Sequence, residues 1–290
     1  MTASSDQRSL VAHDGLGIAY VESGSDGPLA VFVHATGFCK EVCEPVVAEA
    51  MALGAVFRAV ALDQRAHGDS GTPVPPFDWW DSGRDILDVV EASLPAGDAD
   101  TIAVVGVGHS SGGAALVLAE LLRPGTFGAL VLVEPIILPP PYGRYPDHPI
   151  VTGALRRRTR FTSRDAAFRN YASKRAFSGW DERAMWAYVN GGFRVEGDRV
   201  VLKCAPESEA EFFTAAGTHG AWDRLGDVET PTLLLAGEHS VTHGEPFLAE
   251  LTARFGDGRY EIVPDSSHFL WMEKPGVIAE HVAAAIHEMG

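Results

Sequence analysis

The chain has 290 residues, with 39 acidic and 23 basic side chains and a formal net charge of −16 at pH 7. That balance excludes a nucleic-acid binder working through a broadly basic surface, and it repels anionic membranes. With 46% hydrophobic and 21% charged residues the chain is globular rather than disordered, and its length fits one large α/β domain or two smaller ones. The cysteines Cys39, Cys43 and Cys204 are odd in number, and no His/Cys cluster completes a zinc site around them. They read as reduced, buried thiols of a cytoplasmic protein. The polar opening stretch has no signal-peptide core, and no apolar run approaches the ~18 residues of a membrane span.

In chain order, short apolar runs alternate with helical patterns. Leu29 to Val33 runs into His34-Ala35-Thr36-Gly37, and Arg58 to Leu62 runs into Asp63-Gln64-Arg65-Ala66-His67-Gly68. Ile86, Val89, Val90 and Leu94 then repeat at helical spacing. Ile102 to Val107 leads to Gly108-His109-Ser110, followed by a helix pattern from Gly113 to Glu120. Ala129 to Val133 ends at Glu134-Pro135. Thr232 to Leu235 ends at Ala236-Gly237-Glu238, and Tyr260 to Val263 at Pro264-Asp265; Ile278, Val282, Ile286 and Met289 close with a helix. Val- and Leu-rich runs buried on both faces are parallel strands. Their alternation with helices predicts an α/β fold: a mostly parallel, doubly wound sheet with ligands at the carboxyl ends of the strands. Residues 139–225 lack such runs, open with Pro139-Pro140-Pro141, and carry helical patterns over Asp165 to Ala176 and Asp181 to Asn190. A structureless loop of that length is improbable. The expected organisation is therefore a core in two parts, 1–138 and 226–290, with a helical cap at 139–225.

Gly108-His109-Ser110-Ser111-Gly112 fits G-x-S-x-G on a strand-to-helix turn, the context in which that short pattern is specific. The turn presents Ser110 at the positive end of the next helix. A serine hydroxyl attacks only when a base takes its proton. Of eleven histidines, His268 follows the last strand and is the expected base. A carboxylate must fix its tautomer. Glu134 and Glu238 both stand at strand ends, in the order Ser–Glu–His, and compete for that place.

With these pieces the chain resembles α/β-hydrolase-fold serine hydrolases over nearly its whole length. Val33-His34-Ala35-Thr36-Gly37, Asp63 to Ser70, Gly108 to Gly112, Leu132 to Pro135, Leu235 to Glu238 and Ser267-His268-Phe269 carry the likeness. Most members hold an aspartate where this chain has Ser240. The superfamily's other acid position lies about 24 residues after the nucleophile, and Glu134 is 24 residues after Ser110. In that placement the chain resembles one subgroup of haloalkane dehalogenases and some fungal acyl-CoA hydrolases of secondary metabolism. The resemblance thus implies a triad of Ser110, Glu134 and His268, with Glu238 the competing acid. It also implies an oxyanion hole from the amides of Ser111 and Thr36, although Ala35 replaces the usual glycine before Thr36. Asp63, Arg65 and His67 match a loop-bracing segment, and His34 reads as a structural hydrogen bond. Epoxide hydrolases and dehalogenases attack with a carboxylate, and dehalogenases place a tryptophan where Ser111 stands, so neither chemistry is expected.

The expected reaction is cleavage of a carboxylic ester or lactone through an acyl-enzyme, with no metal or organic cofactor required. His34, Cys39, His109, His219 and Trp222 are candidate pocket residues. The alternatives are an acyl-CoA thioesterase using the cap and a ligand receptor with vestigial turnover. Residues 140–204 carry thirteen basic and six acidic side chains, a local excess of +7 against −23 elsewhere. That excess suits docking of the cap onto an acidic body, or an anionic substrate. The expected partner is a small ester, lactone or thioester, with no nucleic acid or membrane; monomer and homodimer both remain open.

Overall fold

The computed structural model describes residues 6–24, 26–94 and 103–289. The main sheet is built from β1 (Asp6–Val11), β2 (Gly17–Ser23), β3 (Leu29–Val33), β4 (Arg58–Leu62), β5 (Val104–His109), β6 (Ala129–Val133), β10 (Thr232–Gly237) and β11 (Gly258–Val263). Their spatial order is β1-β2-β4-β3-β5-β6-β10-β11. β2 runs antiparallel to its neighbours β1 and β4, and the remaining pairs are parallel. The expected runs at β3, β4 and β6 match to the residue. The expected start at Ile102 lies outside the described residues.

Side chains alternate across each strand, so each strand feeds two cores. Ala30 and Phe32 of β3 join the core under α1 (Glu44–Ala52) and α10 (Pro275–Met289), with Val46, Ile278 and Val282. Leu29, Val31 and Val33 join the opposite core under α2 (Trp79–Ser93) and α3 (Ser111–Leu122), with Ile86, Val90 and Leu118. Asp78 starts α2 by accepting the Trp80 amide at 3.0 Å. α8 (Glu245–Thr252) and the short α9 (Leu270–Glu273) complete the second part of the core.

Between β6 and β10 the chain forms α4 (Pro149–Leu155), β7 (Arg160–Phe161), α5 (Arg164–Ala172), α6 (Glu182–Gly191), β8 (Phe193–Glu196), β9 (Arg199–Leu202) and α7 (Pro206–Ala215). Beside these helices, β7, β9 and β8 pair as a small antiparallel sheet, which the expectation of a helical cap did not include. β8 and β9 are four residues each and meet at Gly197, whose φ of 62° closes the tight hairpin. Strands this short present little apolar run: β8 alternates polar and apolar residues, and β9 offers only Val200-Val201-Leu202. β1 escaped the sequence reading because it is exposed along most of its length, whereas β2 carries the buried run Ile18-Ala19-Tyr20, which that reading passed over. Among the described residues no helix is long and apolar enough to cross a membrane.

Candidate active site

The carboxyl ends of β3, β5, β6, β10 and β11 converge on one place. Ser110 sits on the turn from β5 into α3 with φ 55° and ψ −114°, a left-handed strain that persists only where surrounding contacts impose it. A Cβ on Gly108 would lie 2.7 Å from the Gly113 amide nitrogen, and one on Gly112 would lie 2.6 Å from the His34 carbonyl oxygen. The flanking glycines thus let the start of α3 press against the end of β3. The turn is stitched to β6: the Ser110 amide donates to Val133 O at 2.8 Å, and the Ile136 amide donates to Ser110 O at 3.1 Å.

Glu134, just past β6, is wholly buried with φ 49°. Its Oε1 accepts the Gly237 amide at 2.9 Å. Its Oε2 accepts the hydroxyls of Ser240 at 2.7 Å and Thr242 at 2.8 Å, and lies 2.9 Å from His268 Nδ1 and 3.0 Å from His243 Nδ1. Burial pushes this carboxyl upward. The hydrogen bonds and charges of His243 and His268 outweigh burial and hold it well below the usual carboxylate range. Ser240, in the place where an aspartate was expected from the resemblance, serves as a donor to the glutamate. Glu238 is exposed, and its carboxylate accepts the Asp265 amide at 3.0 Å. Nor does it pair with Arg65, whose guanidinium binds Asp85 through two 2.7 Å contacts and also reaches Asp14 and Asp81.

His268 follows β11, and its side chain is about a quarter exposed. Its carbonyl accepts from His109 Nε2 at 2.9 Å. The His109 ring stacks on Trp271 at 5.9 Å, and burial, aided by the nearby His268, pushes it down to about 3. His109, the residue before Ser110, is therefore a neutral brace that ties the nucleophile turn to the His268 loop. His34 and Gln64 form a second brace. Gln64 Nε2 donates to His34 O at 2.6 Å and to Ser111 Oγ at 2.9 Å, while the Gln64 amide donates to His34 Nε2 at 3.1 Å. Among the described residues the amides of Thr36 and Ser111 have no hydrogen-bond partner. His67 Nε2 accepts the Gly37 amide at 2.9 Å, and Lys40 binds Asp63 at 2.7 Å and Asp69 at 2.9 Å. The loops after β3 and β4 are thereby locked together beside Ser110.

The remaining candidates are packed into structure. Cys39 is fully buried. His219 stacks on Trp79 at 5.5 Å and sits 3.1 Å from Ile136 O. Trp222 lies between Phe247 and the Arg254 guanidinium. The residues that join the loops to the insertion are instead Phe38, Trp180 and Phe269. Phe38 meets Trp180 at 5.5 Å and Tyr188 at 5.2 Å, and Trp180 meets Phe269, the neighbour of His268, at 5.5 Å. Sequence reasoning missed His243 and Gln64 as site residues. Gln64 was visible in the Asp63–Gly68 segment, but His243 lies in a loop without periodicity.

The peroxisomal membrane protein LPX1 of Saccharomyces cerevisiae is 33% identical over 118 residues, 37% of this chain and 30% of the yeast protein. The matched part thus spans less than a third of that relative. The abhydrolase domain-containing protein ACTT2-1 of Alternaria alternata is 27% identical over 217 residues, 62% of this chain and 81% of the fungal protein. The solved structure of yeast Lpx1 superimposes with a TM-score of 0.83 at 20% identity, covering 99% of this chain and 90% of that one. That of E-2-(acetamidomethylene)succinate hydrolase gives 0.79 at 20%, covering 98% and 100%. At such identities these superpositions speak for the fold. The family model of the alpha/beta hydrolase family matches residues 30–281, and the chain belongs to that family.

Proposed function

We propose that the protein is a serine hydrolase that cleaves a carboxylic ester or lactone through an acyl-enzyme on Ser110. The observation that carries this reading is the 2.9 Å contact between the buried Glu134 carboxylate and His268 Nδ1, at the end of the strand beside the strained Ser110 turn. Glu134 keeps a proton on Nδ1 and leaves the Nε2 lone pair to take the Ser110 proton as the hydroxyl attacks the carbonyl. The amides of Thr36 and Ser111, the latter at the positive end of α3, receive the oxyanion. His268 then protonates the leaving group, and a water deprotonated by the same ring releases the acid.

The test is a set of p-nitrophenyl esters of graded acyl length with the intact protein and Ser110→Ala. A burst, steady turnover and labelling by a serine-directed phosphonate are expected, with roughly a 10⁴-fold or larger loss of kcat in the variant. Ligand binding without burst or turnover would instead establish the receptor reading. A second reading, acyl-CoA thioester hydrolysis, rests on the exposed Arg156 and Arg158 of the insertion. Arg157, Arg183 and Lys203 already pair with Glu209, Glu49 and Asp69. Reversing the charge at Arg156 and Arg158 should depress kcat/KM for an acyl-CoA more than for a neutral ester if the thioester is the substrate. We assign the protein to the cytoplasm on its unpaired, buried cysteines.

A further inference from the structure

Glu134 carries two histidines, and the proposed cycle uses only one. His243 is buried at the turn before α8, with its ring edge against Phe247 at 5.4 Å. Its Nε2 lies 3.0 Å from the Pro135 carbonyl oxygen. A carbonyl oxygen only accepts, so Nε2 bears a hydrogen. Its Nδ1 lies 3.0 Å from Glu134 Oε2. With a single proton the ring would aim a lone pair at an anionic oxygen inside the protein. Thr242 does not relieve this. Its one hydroxyl proton lies between Oε2 at 2.8 Å and His243 Nδ1 at 3.1 Å, and it serves only one of them. A second proton on His243 turns the contact into a charge-assisted hydrogen bond.

We propose that His243 holds a proton on both ring nitrogens in the resting protein and acts as a positioning residue for the triad. This rests on the reading of Ser110, His268 and Glu134 given above. The buried imidazolium neutralises Glu134 and fixes the carboxylate plane, so that Oε2 stays aimed at His268. Ionisable neighbours are few: Glu134 and His268 share the oxygen, His109 lies behind His268, and Glu245 is exposed two residues along. When His268 takes the serine proton, it becomes a second cation on one carboxylate. The active, unprotonated form of the base therefore persists to lower pH than it would beside an unpaired glutamate.

The protonation state is read directly in ¹⁵N-histidine-labelled Ser110→Ala protein at pH 8, with the His243 signals identified by their loss in His243→Asn. One-bond N–H couplings at both ring nitrogens are expected. A singly protonated ring overturns the proposal, whether or not the protein proves to be a hydrolase. The kinetic counterpart compares His243→Asn, which keeps a neutral donor near Oε2, with His243→Leu, which removes it. The acid limb of kcat/KM should move up by about one pH unit in His243→Asn. In His243→Leu kcat should fall roughly 10- to 100-fold with KM within about twofold, and the asparagine variant should recover most of that loss. An unmoved acid limb in His243→Asn rejects the positioning role even if His243→Leu fails to fold.

Discussion

A carboxylate buried as deeply as that of Glu134 survives only because each of its oxygens is answered by donors. The backbone amide of Gly237, two hydroxyls and two imidazoles surround it. Glu238, the residue after Gly237, is exposed, and its carboxylate accepts the Asp265 amide alone among the described residues. The pair therefore makes a sharp contrast. Glu134→Gln should lower kcat by about 10³- to 10⁴-fold, since an amide can present its NH₂ to His268 and stabilise the wrong tautomer. Glu238→Gln should stay within about twofold. Steady-state kinetics of the two variants decide it, and the reverse ranking would move the triad acid to Glu238. The depressed carboxyl also has a stability consequence. Its contribution is complete above its ordinary value of 4.5 and is lost as pH falls through its lower folded value. Glu134 was legible because its distance from Ser110 and its strand-end position are sequence properties. His243 was not, because a histidine in an aperiodic loop acquires its meaning only when the loop folds back over β6.

At the scale of elements, what positions the site is the joining of the loops after β3 and β4. Lys40 is almost wholly buried and binds Asp63, Asp69 and Glu41. Burial alone would lower its pKa, but the carboxylates around it raise it, so it is a fixed cation. Lys40→Ala leaves Asp63 charged, buried and without its partner, and should cost about 3–5 kcal/mol. Arg183, which links α6 to Glu49 of α1, has a side chain that is 56% exposed. Arg183→Ala should therefore cost less than about 1 kcal/mol. Urea unfolding midpoints of the two variants test the ranking, and equal losses would show that the buried network is not what holds these loops. The strands that sequence patterning recovered to the residue, β3, β4 and β6, are buried along nearly their whole length, where a continuous run of apolar residues is obligatory. It missed β1 and β8, whose exposed positions are free to carry Asp, Arg and Glu, and it also missed β2 and β9, whose buried apolar stretches Ile18-Ala19-Tyr20 and Val200-Val201-Leu202 are short.

For the whole molecule, the −16 net charge hides a buried population of neutral histidines. Burial drives His67 and His219 down to about 4 and His109 to about 3, and it holds His34 well below 6.5. Each ring is structural in its neutral form: His34 and His67 accept backbone amides, and His109 and His219 stack on tryptophans. A ring whose folded pKa is depressed binds its proton only on unfolding. Its stabilising contribution is complete above pH 6.5 and shrinks as pH falls toward the folded value. Each neutral ring costs about 1.4 kcal/mol per pH unit once the unfolded chain is protonated. Four together approach roughly 5 kcal/mol per unit, a large share of the stability of an ordinary domain. The urea midpoint should therefore fall steeply between pH 6.5 and 4.5, with close to four protons taken up per molecule unfolded. His219→Gln should reduce that uptake by about one proton, since it replaces one titrating ring with a neutral amide. A midpoint that stays flat over this range would mean that these rings are charged in the folded protein. The Gln64 and Gly37 amides that His34 and His67 accept would then need another explanation, because a doubly protonated ring has no nitrogen left to accept them.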